Sequence, residues 1–403
     1  MSARYRYYLE KDSPDNSLIY ERKLRLKILK ICLVLLFLFG ALSIYVSAEE
    51  DGLSFPEEYE DLEKYIPQDI LELLPDGLFS SDPERVADAL SDMTEFGYIG
   101  EILVDLLNVE LKSSIKLLAL LCGGMMLCSV LNNLGKETLS GAGGEINGFV
   151  GNLLIVAILL SSQESIFDCA QVFFGRLNAF MGAYLPILCA MSAMGGGIAS
   201  ALCANYGISA FLGLSEIALA QTITPIVGTC VGLAAAGGVG ETGAGSSLLK
   251  VLKNSYVFLI GMLMTVMLFV FSARGIMASG ADSLGGRAIK FAAGNFIPIV
   301  GANIGEILKG VGSGIVYLKN TAGVVAVAIL FLMLLPTFIS VLLRRAVLSV
   351  SAAFADMLGT GAQARLVREF SSIYGMLLAV ISMCAVLFVA AIIITVKIGN
   401  AVV

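Results

Sequence analysis

Three glycine-rich stretches decide the fold: GETGAGSSLLKVLKNSYVFLIGMLMTVMLFVFS (residues 240–272), GTGAQARLVREFSSIYGMLLAVISMCAVLFVAA (359–391) and, more faintly, GAGGEINGFVGNLLIVAILLSS (141–162). In each of them a glycine-rich loop leads into a short amphipathic stretch and then into a long apolar run. Several apolar runs of the chain approach the roughly 20 residues that a helix needs to cross a bilayer. The recurring pattern predicts a membrane helix that the chain carries at least twice.

Other landmarks return at a nearly constant interval of about 111 residues, which is the spacing expected of an internal repeat. The matching pairs are Pro186 and Pro298, Pro225 and Pro336, and Arg176 and Arg287. Chance similarities have no reason to share one offset, so the spacing favours a duplication. The alternative is that apolar, glycine-rich sequence resembles itself anywhere. The predicted membrane units are 113–240 and 241–358, followed by a closing half-unit at 359–403.

The composition indicates a membrane protein. The mean hydropathy is +0.85, 57% of the residues are hydrophobic and only 15% are charged, whereas about 25% is usual for soluble domains. The 43 glycines suit helices that pack closely through small residues. The sequence therefore predicts an all-α, polytopic membrane bundle of about seven or eight spans, some of them broken at glycine and proline.

The N-terminal region is typical of an exported protein. Basic residues at 22–30 precede an apolar run at 31–46, and small residues lead up to Ala48. This order predicts a leader and signal peptide over 1–48, with cleavage after Ala48. The alternative is an uncleaved signal anchor, for which the apolar run is short.

An acidic segment follows at 49–112, and we expect it to be exported. Up to residue 110 it holds nineteen acids, while its only bases are Lys64 and Arg85. Pro67 can open a short helix, and the sequence SDPE at 81–84 supplies a cap followed by a proline at the first helical position. The segment forms either a docking surface for a partner or a small helical cap that only solubilises the chain.

Broken membrane helices point to a possible pathway. Irregular backbone at membrane depth must be buried in protein or line water, and Pro- and Gly-interrupted segments at matching places of two repeats often mark a central path. Here those segments contain Pro186 and Pro298, with a second matched pair in Pro225 and Pro336. The alternative is that these prolines only kink packed helices.

Three charged residues in apolar surroundings are further candidates. Glu216 is the only charged residue between Arg176 and Glu241, and a charge at membrane depth costs about 2.5–3.5 kcal/mol on insertion scales. Its carboxylate therefore faces either a functional cavity or a structural partner. Arg176 and Arg287 precede corresponding apolar segments, where an arginine either reaches for the membrane interface or binds a ligand.

Nothing in the sequence favours catalysis. The chain has no histidine, which removes the usual general base and the commonest metal ligand. The cysteines show no CxxC spacing and suit small buried positions. GETGAG lacks the lysine-serine ending of a phosphate-binding loop, and no basic patch with interleaved aromatics suggests nucleic-acid binding. We therefore expect a protein without catalytic residues, metal or cofactor.

The order of parts resembles the stage III sporulation protein AE family of endospore-forming bacteria. The stretches that carry the likeness are IPQDILELLPDGLF (66–79), YLPILCAMSAMGG (184–196), GNFIPIVG (294–301), LLRRAVLSVSAAFADMLG (342–359) and REFSSIYGMLLAV (368–380). Their specificity rests on their joint order, since the motifs are apolar and carry no catalytic signature.

This resemblance implies a multi-pass protein of the mother-cell-derived outer forespore membrane. It also implies a place in a channel-like complex, built with sister proteins of the same operon that include a secretion-type ATPase and ring-forming components. The alternative that the residues leave open is a self-contained permease, with a substrate site near Pro186, Pro298 and Glu216.

Overall fold

The computed structural model describes residues 54–94, 96–138, 142–162, 164–194, 198–239, 244–296 and 301–397. Across these ranges the backbone is almost entirely helical and contains no strand, which confirms the all-α prediction. The helices are α1 (Glu57–Glu60), α2 (Gln68–Leu71), α3 (Pro83–Thr94), α4 (Phe96–Thr138), α5 (Ala142–Ser161), α6 (Glu164–Met194), α7 (Ile198–Ser215), α8 (Thr222–Val239), α9 (Ala244–Phe296), α10 (Gly301–Met357) and α11 (Gly361–Lys397). Ala48, Pro298 and the side chain of Arg287 lie outside what the structure describes.

Six helical segments of the described chain are long and apolar enough to cross a membrane, so the molecule is a membrane-helical bundle. They are Gly100–Asn133, Cys169–Met194, Ser209–Gly237, Gly245–Val270, Ser313–Met357 and Gly361–Lys397. By their apolar runs alone, residues 198–219 and 222–236 would count as two separate spans. In the structure α7 and α8 instead continue into each other through a π-helical turn, Glu216–Gln221.

The π-helical turn has a local cause in Pro225. Proline has no N–H to give to the carbonyl of Gln221 four residues earlier, and its ring presses against that carbonyl. A wider turn immediately before the proline relieves this conflict without breaking the helix. Glu216 therefore sits at the first position of an irregular turn inside a continuous helix.

The centre of the bundle is the antiparallel pair α10 and α11, which has the most extensive helix–helix contact of the described chain. Glycines let these helices approach closely. A Cβ added to Gly375 would lie 3.1 Å from Cζ of Arg345, and one added to Gly323 would lie 2.5 Å from Cγ2 of Val396. Gly359, with φ +74°, makes the turn between the two helices, because glycine adopts this left-handed conformation without steric cost.

Each glycine-rich stretch leads into the second helix of an antiparallel pair: α4 with α5, α8 with α9, and α10 with α11. The pairs run in the same direction. The Ser129 hydroxyl near the end of α4 donates to the carbonyl of Leu358, 3.1 Å away just beyond α10, and Gly261 of α9 packs against Met383 of α11. This arrangement agrees with parallel units, while the duplication and its boundaries stay predictions.

The acid-rich segment, which we define as residues 54–94, has the predicted helix starts. α2 begins directly after Pro67, and α3 begins at Pro83. The backbone N–H of Glu84 donates to the Asp82 carboxylate at 3.1 Å, which satisfies a free donor at the helix start. Val86 and Met93, which are seven residues apart and so lie on one side of the helix, are buried. α4 then runs unbroken from Phe96 into the first candidate span.

Candidate functional site: the polar flank of the bundle

The acid-rich segment is two-sided. Its described acids are all exposed, whereas most of its large apolar side chains are buried or half-buried. The acids are Glu57, Glu58, Glu60, Asp61, Glu63, Asp69, Glu72, Asp76, Asp82, Glu84, Asp88 and Asp92. The buried apolar residues include Phe55, Tyr59, Leu62, Ile66, Ile70, Leu78, Val86 and Leu90. The segment therefore presents a dense negative surface while its other side is held against the helices.

Tyr59 anchors this segment to the membrane helices. Its side chain is fully buried, and its hydroxyl donates to the carbonyl of Leu78 at 3.4 Å and lies in hydrogen-bond contact with the Tyr184 hydroxyl. Tyr184 of α6 in turn donates to the carbonyl of Ala322 on α10. Burial raises the pKa of Tyr59 far above its usual value, so the hydroxyl stays protonated.

An ion pair beside this anchor joins the same two parts. Nη1 of Arg176 on α6 lies 2.9 Å from Oδ2 of Asp69, and the two side chains are 45% and 58% exposed. A pair this exposed contributes only about 0–1 kcal/mol, so it orients the segment more than it stabilises it. Of the two alternatives for Arg176, the interface or a ligand, the structure shows neither: its described partner is a carboxylate of the same chain.

Glu216 is exposed on the outer surface of the bundle, close to Asn178 of α6. Nδ2 of Asn178 donates to Oε2 of Glu216 over 3.5 Å, a long hydrogen bond. Among the described residues, the buried Oδ1 of Asn178 and Oγ of Ser215 have no hydrogen-bond partner. Buried polar atoms are rarely left unsatisfied. Both atoms lie beneath the surface, next to the exposed Glu216.

We call this surface the polar flank: the acid-rich segment with Arg176, Asn178 and Glu216. Within the polar flank, Glu216 lies at the level of the apolar part of α11, whereas Tyr59 lies nearer the end of α11. Phe211, five residues before Glu216, stacks edge-on against Phe388 of α11, with ring centroids 5.4 Å apart. Most residues of α11 at this height are buried and apolar, among them Cys384, Ala385 and Leu387.

A second surface at the same height has the opposite character. Gly261 of α9 packs on Met383 of α11, five residues from Phe388. Around it α9 exposes large apolar side chains, which we call the apolar flank: Phe258, Leu259, Met262, Val266 and Phe269. Phe258 and Phe269 are 69% and 72% exposed. Such a surface is suited to lipid.

At the level of Glu216 the bundle therefore has a polar and an apolar side. Hydrocarbon can cover the apolar flank, but it cannot cover a flank rich in carboxylates, because each unpaired charge at depth costs several kcal/mol. The polar flank must face water or another protein. This is the property of the structure that bears most directly on function.

The candidate prolines are not gathered at one place. Pro186 is half-buried in α6, two residues beyond Tyr184 and so near Ala322 of α10. Pro336 is half-buried in α10 beside Thr337, which contacts Cys169 at the other end of the α6 span. The helical rise puts these two prolines about 20 Å apart along the bundle. Pro225 is exposed in α8, next to the π-helical turn.

Sequence reasoning found Glu216 and Arg176 but missed their neighbours. Tyr59 lies in the middle of a run of acids, and this is the only local hint that it is an anchor. Within the described ranges no three acidic or cysteine side chains come close enough to share a metal ion.

Comparisons with known proteins point in one direction. The family model described as stage III sporulation protein AE matches residues 84–399. The chain is similar to the stage III sporulation protein AE of Bacillus subtilis (strain 168), with 26% identity over 256 residues, which cover 64% of this chain and 63% of that protein. The chain thus matches somewhat less than two thirds of the length of this curated relative. No solved structure matches.

Proposed function

The chain belongs to the stage III sporulation protein AE family, and we propose that it is a non-enzymatic membrane component of a channel-like complex linking the mother cell to the forespore. Its place in this proposal is the outer forespore membrane, with the acid-rich segment on the exported side. The proposed partners are other stage III sporulation proteins, among them the secretion-type ATPase and the ring-forming components that the family resemblance implies.

The observation that carries this proposal is the two-faced bundle. A subunit that forms part of a conduit wall needs one side for lipid and one side for water or for its neighbours. The apolar flank on α9 suits the first requirement. The polar flank, with the exposed Glu216 and the acids of the acid-rich segment, suits the second.

The acid-rich segment is the proposed docking surface for the partners. A segment that only solubilised the chain would not need a defined orientation on the helices. Here Tyr59 and the Arg176–Asp69 pair hold it in one orientation. Its uniform negative sign suits a partner with a basic face, because complementary charge steers association and suppresses wrong partners.

The test is purification of the tagged full-length chain from sporulating cells, with identification of the proteins that copurify. In one variant, Glu57→Gln, Glu58→Gln, Glu63→Gln and Asp76→Asn neutralise four exposed acids. We expect its partner recovery to fall about tenfold, as charge complementarity is lost. The matched control replaces the two bases, Lys64→Gln and Arg85→Gln, and we expect it to retain its partners.

The permease alternative makes the opposite prediction. If the purified chain alone transports a solute in liposomes, if Glu216→Gln abolishes that transport, and if the neutralised variant keeps full activity, then the chain is a self-contained transporter. That set of results would overturn the proposed function.

A further inference from the structure

Three oxygen-bearing side chains lie together where α6 meets the π-helical turn: Asn178, Ser215 and Glu216. The side chains of Asn178 and Glu216 are in contact over 3.5 Å, and Ser215 directly precedes Glu216. One turn earlier in α7, Leu212 also contacts α6, since a Cβ added to Gly182 would lie 3.8 Å from its Cδ1. Residues three apart share one side of a helix. Ser215 therefore lies on the side of α7 that is turned toward α6.

The hydroxyl of Ser215 is not used within its own helix. Serines and threonines inside helices often donate to the carbonyl four residues earlier, as Ser192 and Thr222 do at 2.8 and 2.6 Å. Ser215 is only 2% exposed, yet its Oγ has no hydrogen-bond partner within the described ranges. Most buried hydroxyls do have a partner. The oxygen of Ser215 is therefore available to a ligand.

Glu216 supplies the charge of the site, and no described base neutralises it. The ion pairs of the described ranges do not include Glu216, and Arg176, two residues before Asn178, pairs with Asp69 instead. The Oδ1 atom of Asn178 is buried and has no hydrogen-bond partner among the described residues. Rotation of this amide by half a turn would exchange Nδ2 for Oδ1 beside the carboxylate. The site can thus offer carboxylate, hydroxyl and amide oxygens.

This set of oxygens favours a cation of single charge. Oxygen ligands suit hard cations, whereas Ca²⁺ takes about 6–8 oxygens and is held most tightly where several carboxylates contribute. Here a single carboxylate is present, and no three acids or cysteines come together in the part of the chain that the structure describes. Glu216 lies at the level of the apolar part of α11, where an unpaired charge is costly. A monovalent cation would balance that charge.

We propose that Glu216, Ser215 and Asn178 bind one monovalent cation, Na⁺ or K⁺. The carboxylate of Glu216, Oγ of Ser215 and Oδ1 of Asn178 coordinate it, and water completes its shell on the exposed side. The site begins at the π-helical turn, and such turns are frequent at functional sites. The proposal does not rest on the proposed role in a conduit, since it needs only these three side chains and none of the acids of the acid-rich segment.

The experiment measures how fast N,N′-dicyclohexylcarbodiimide labels Glu216 in the full-length protein in detergent, by mass spectrometry of the peptide that contains it. The buffer holds sodium, potassium or choline chloride at the same concentration. A bound cation blocks the carboxylate, so at ten times the dissociation constant sodium or potassium should slow labelling about tenfold relative to choline. The exposed Glu72 of the acid-rich segment is the control in the same molecule and should be labelled equally in all three salts.

Two variants test the neutral ligands. Ser215→Ala and, at a less buried position, Asn178→Ala each remove one oxygen and should raise the cation concentration that gives half-protection about tenfold. Thr229→Ala is the matched control, because its exposed hydroxyl donates to the carbonyl of Pro225 at 2.7 Å and lies outside the site. A labelling rate in choline equal to that of the wild type shows that a variant is folded.

Three results would overturn the site: equal labelling of Glu216 in all three salts, equal protection of Glu72, or half-protection at the wild-type concentration in both Ser215→Ala and Asn178→Ala. Protection by calcium at concentrations at which sodium and potassium have no effect would overturn the assignment to a monovalent cation. None of these results depends on whether partner proteins copurify with the chain, so the site and the proposed function are tested separately.

Discussion

Gly323 is the position where the packing of the central helices is tightest, and Gly323→Ala should therefore separate them. The new methyl group would lie 2.5 Å from Cγ2 of Val396, whereas carbon atoms pack at about 3.5–4.0 Å. Valine has one strongly preferred rotamer in a helix, so Cγ2 cannot simply turn away. α10 and α11 would have to move apart by about 1 Å or more.

The expected loss of stability in Gly323→Ala follows from two opposing effects. Overpacking of a tight interior costs about 1–3 kcal/mol, while alanine is favoured over glycine inside a helix by about 1 kcal/mol. Gly232→Ala isolates the second effect, because a Cβ at Gly232 of α8 meets nothing within 4 Å. The free energy of unfolding of Gly323→Ala should thus be about 1–3 kcal/mol below that of Gly232→Ala.

The assay uses buried thiols, since the chain has no tryptophan. Cys128, Cys230 and Cys384 are buried in three different helices, and a maleimide that fluoresces on reaction reports their exposure on heating. The midpoint for Gly323→Ala should lie about 1–4 °C below that of Gly232→Ala.

A second substitution tests the cause. Val396→Ala removes the methyl group that the alanine at 323 would strike. The double variant should therefore be more stable than the sum of the single effects predicts. Equal midpoints for the two glycine variants, or strictly additive effects in the double variant, would show that this contact does not limit the packing of α10 and α11.

The remaining predictions concern the acid-rich segment and the π-helical turn. Tyr59→Ala should lower the free energy that holds the acid-rich segment on the helices by about 3–5 kcal/mol and speed proteolysis within residues 54–94. Tyr65→Ala changes a side chain that is 53% exposed and should not speed it. Equal proteolysis rates in the two variants would contradict the anchoring role of Tyr59. The raised pKa of Tyr59 in the folded state means that above about pH 10 the free phenol ionises and the buried one does not. The contribution of Tyr59 to anchoring is therefore complete below that pH and weakens by at most about 1.4 kcal/mol per pH unit above it. Protection from proteolysis should fall more steeply with pH in the wild type than in Tyr59→Phe. Parallel curves for the two proteins would refute this prediction. Pro225→Ala restores an N–H for the carbonyl of Gln221, so the π-helical turn should revert to ordinary helix and cross-linking between Asn178→Cys and Glu216→Cys should fall. Gly228→Ala, at a position with nothing within 4 Å, should leave the yield unchanged, and an unchanged yield in Pro225→Ala would show that the proline does not cause the turn.

Much of the fold follows from local properties of the chain. Long apolar runs must be helical in a membrane, because only helices and closed barrels satisfy their own backbone there. Pro67 and Pro83 mark helix starts for reasons that act within a few residues. Glu216 stands out from the sequence because a charge in an apolar run is costly wherever it points. Each of these inferences needs only neighbours along the chain.

The candidate site depended on the packing of the helices. The sequence around Glu216 is apolar on all sides, so no periodicity reveals which side of the helix faces outward. The contacts of Tyr59 with Tyr184 and of Asp69 with Arg176 join residues more than a hundred positions apart. Such contacts depend on how each whole helix is rotated and shifted along its axis. That placement is determined jointly by residues that are far apart in the chain. The sequence by itself therefore determined a helical membrane protein with an acidic segment, and only the tertiary structure decided which flank is polar and which is lipid-facing.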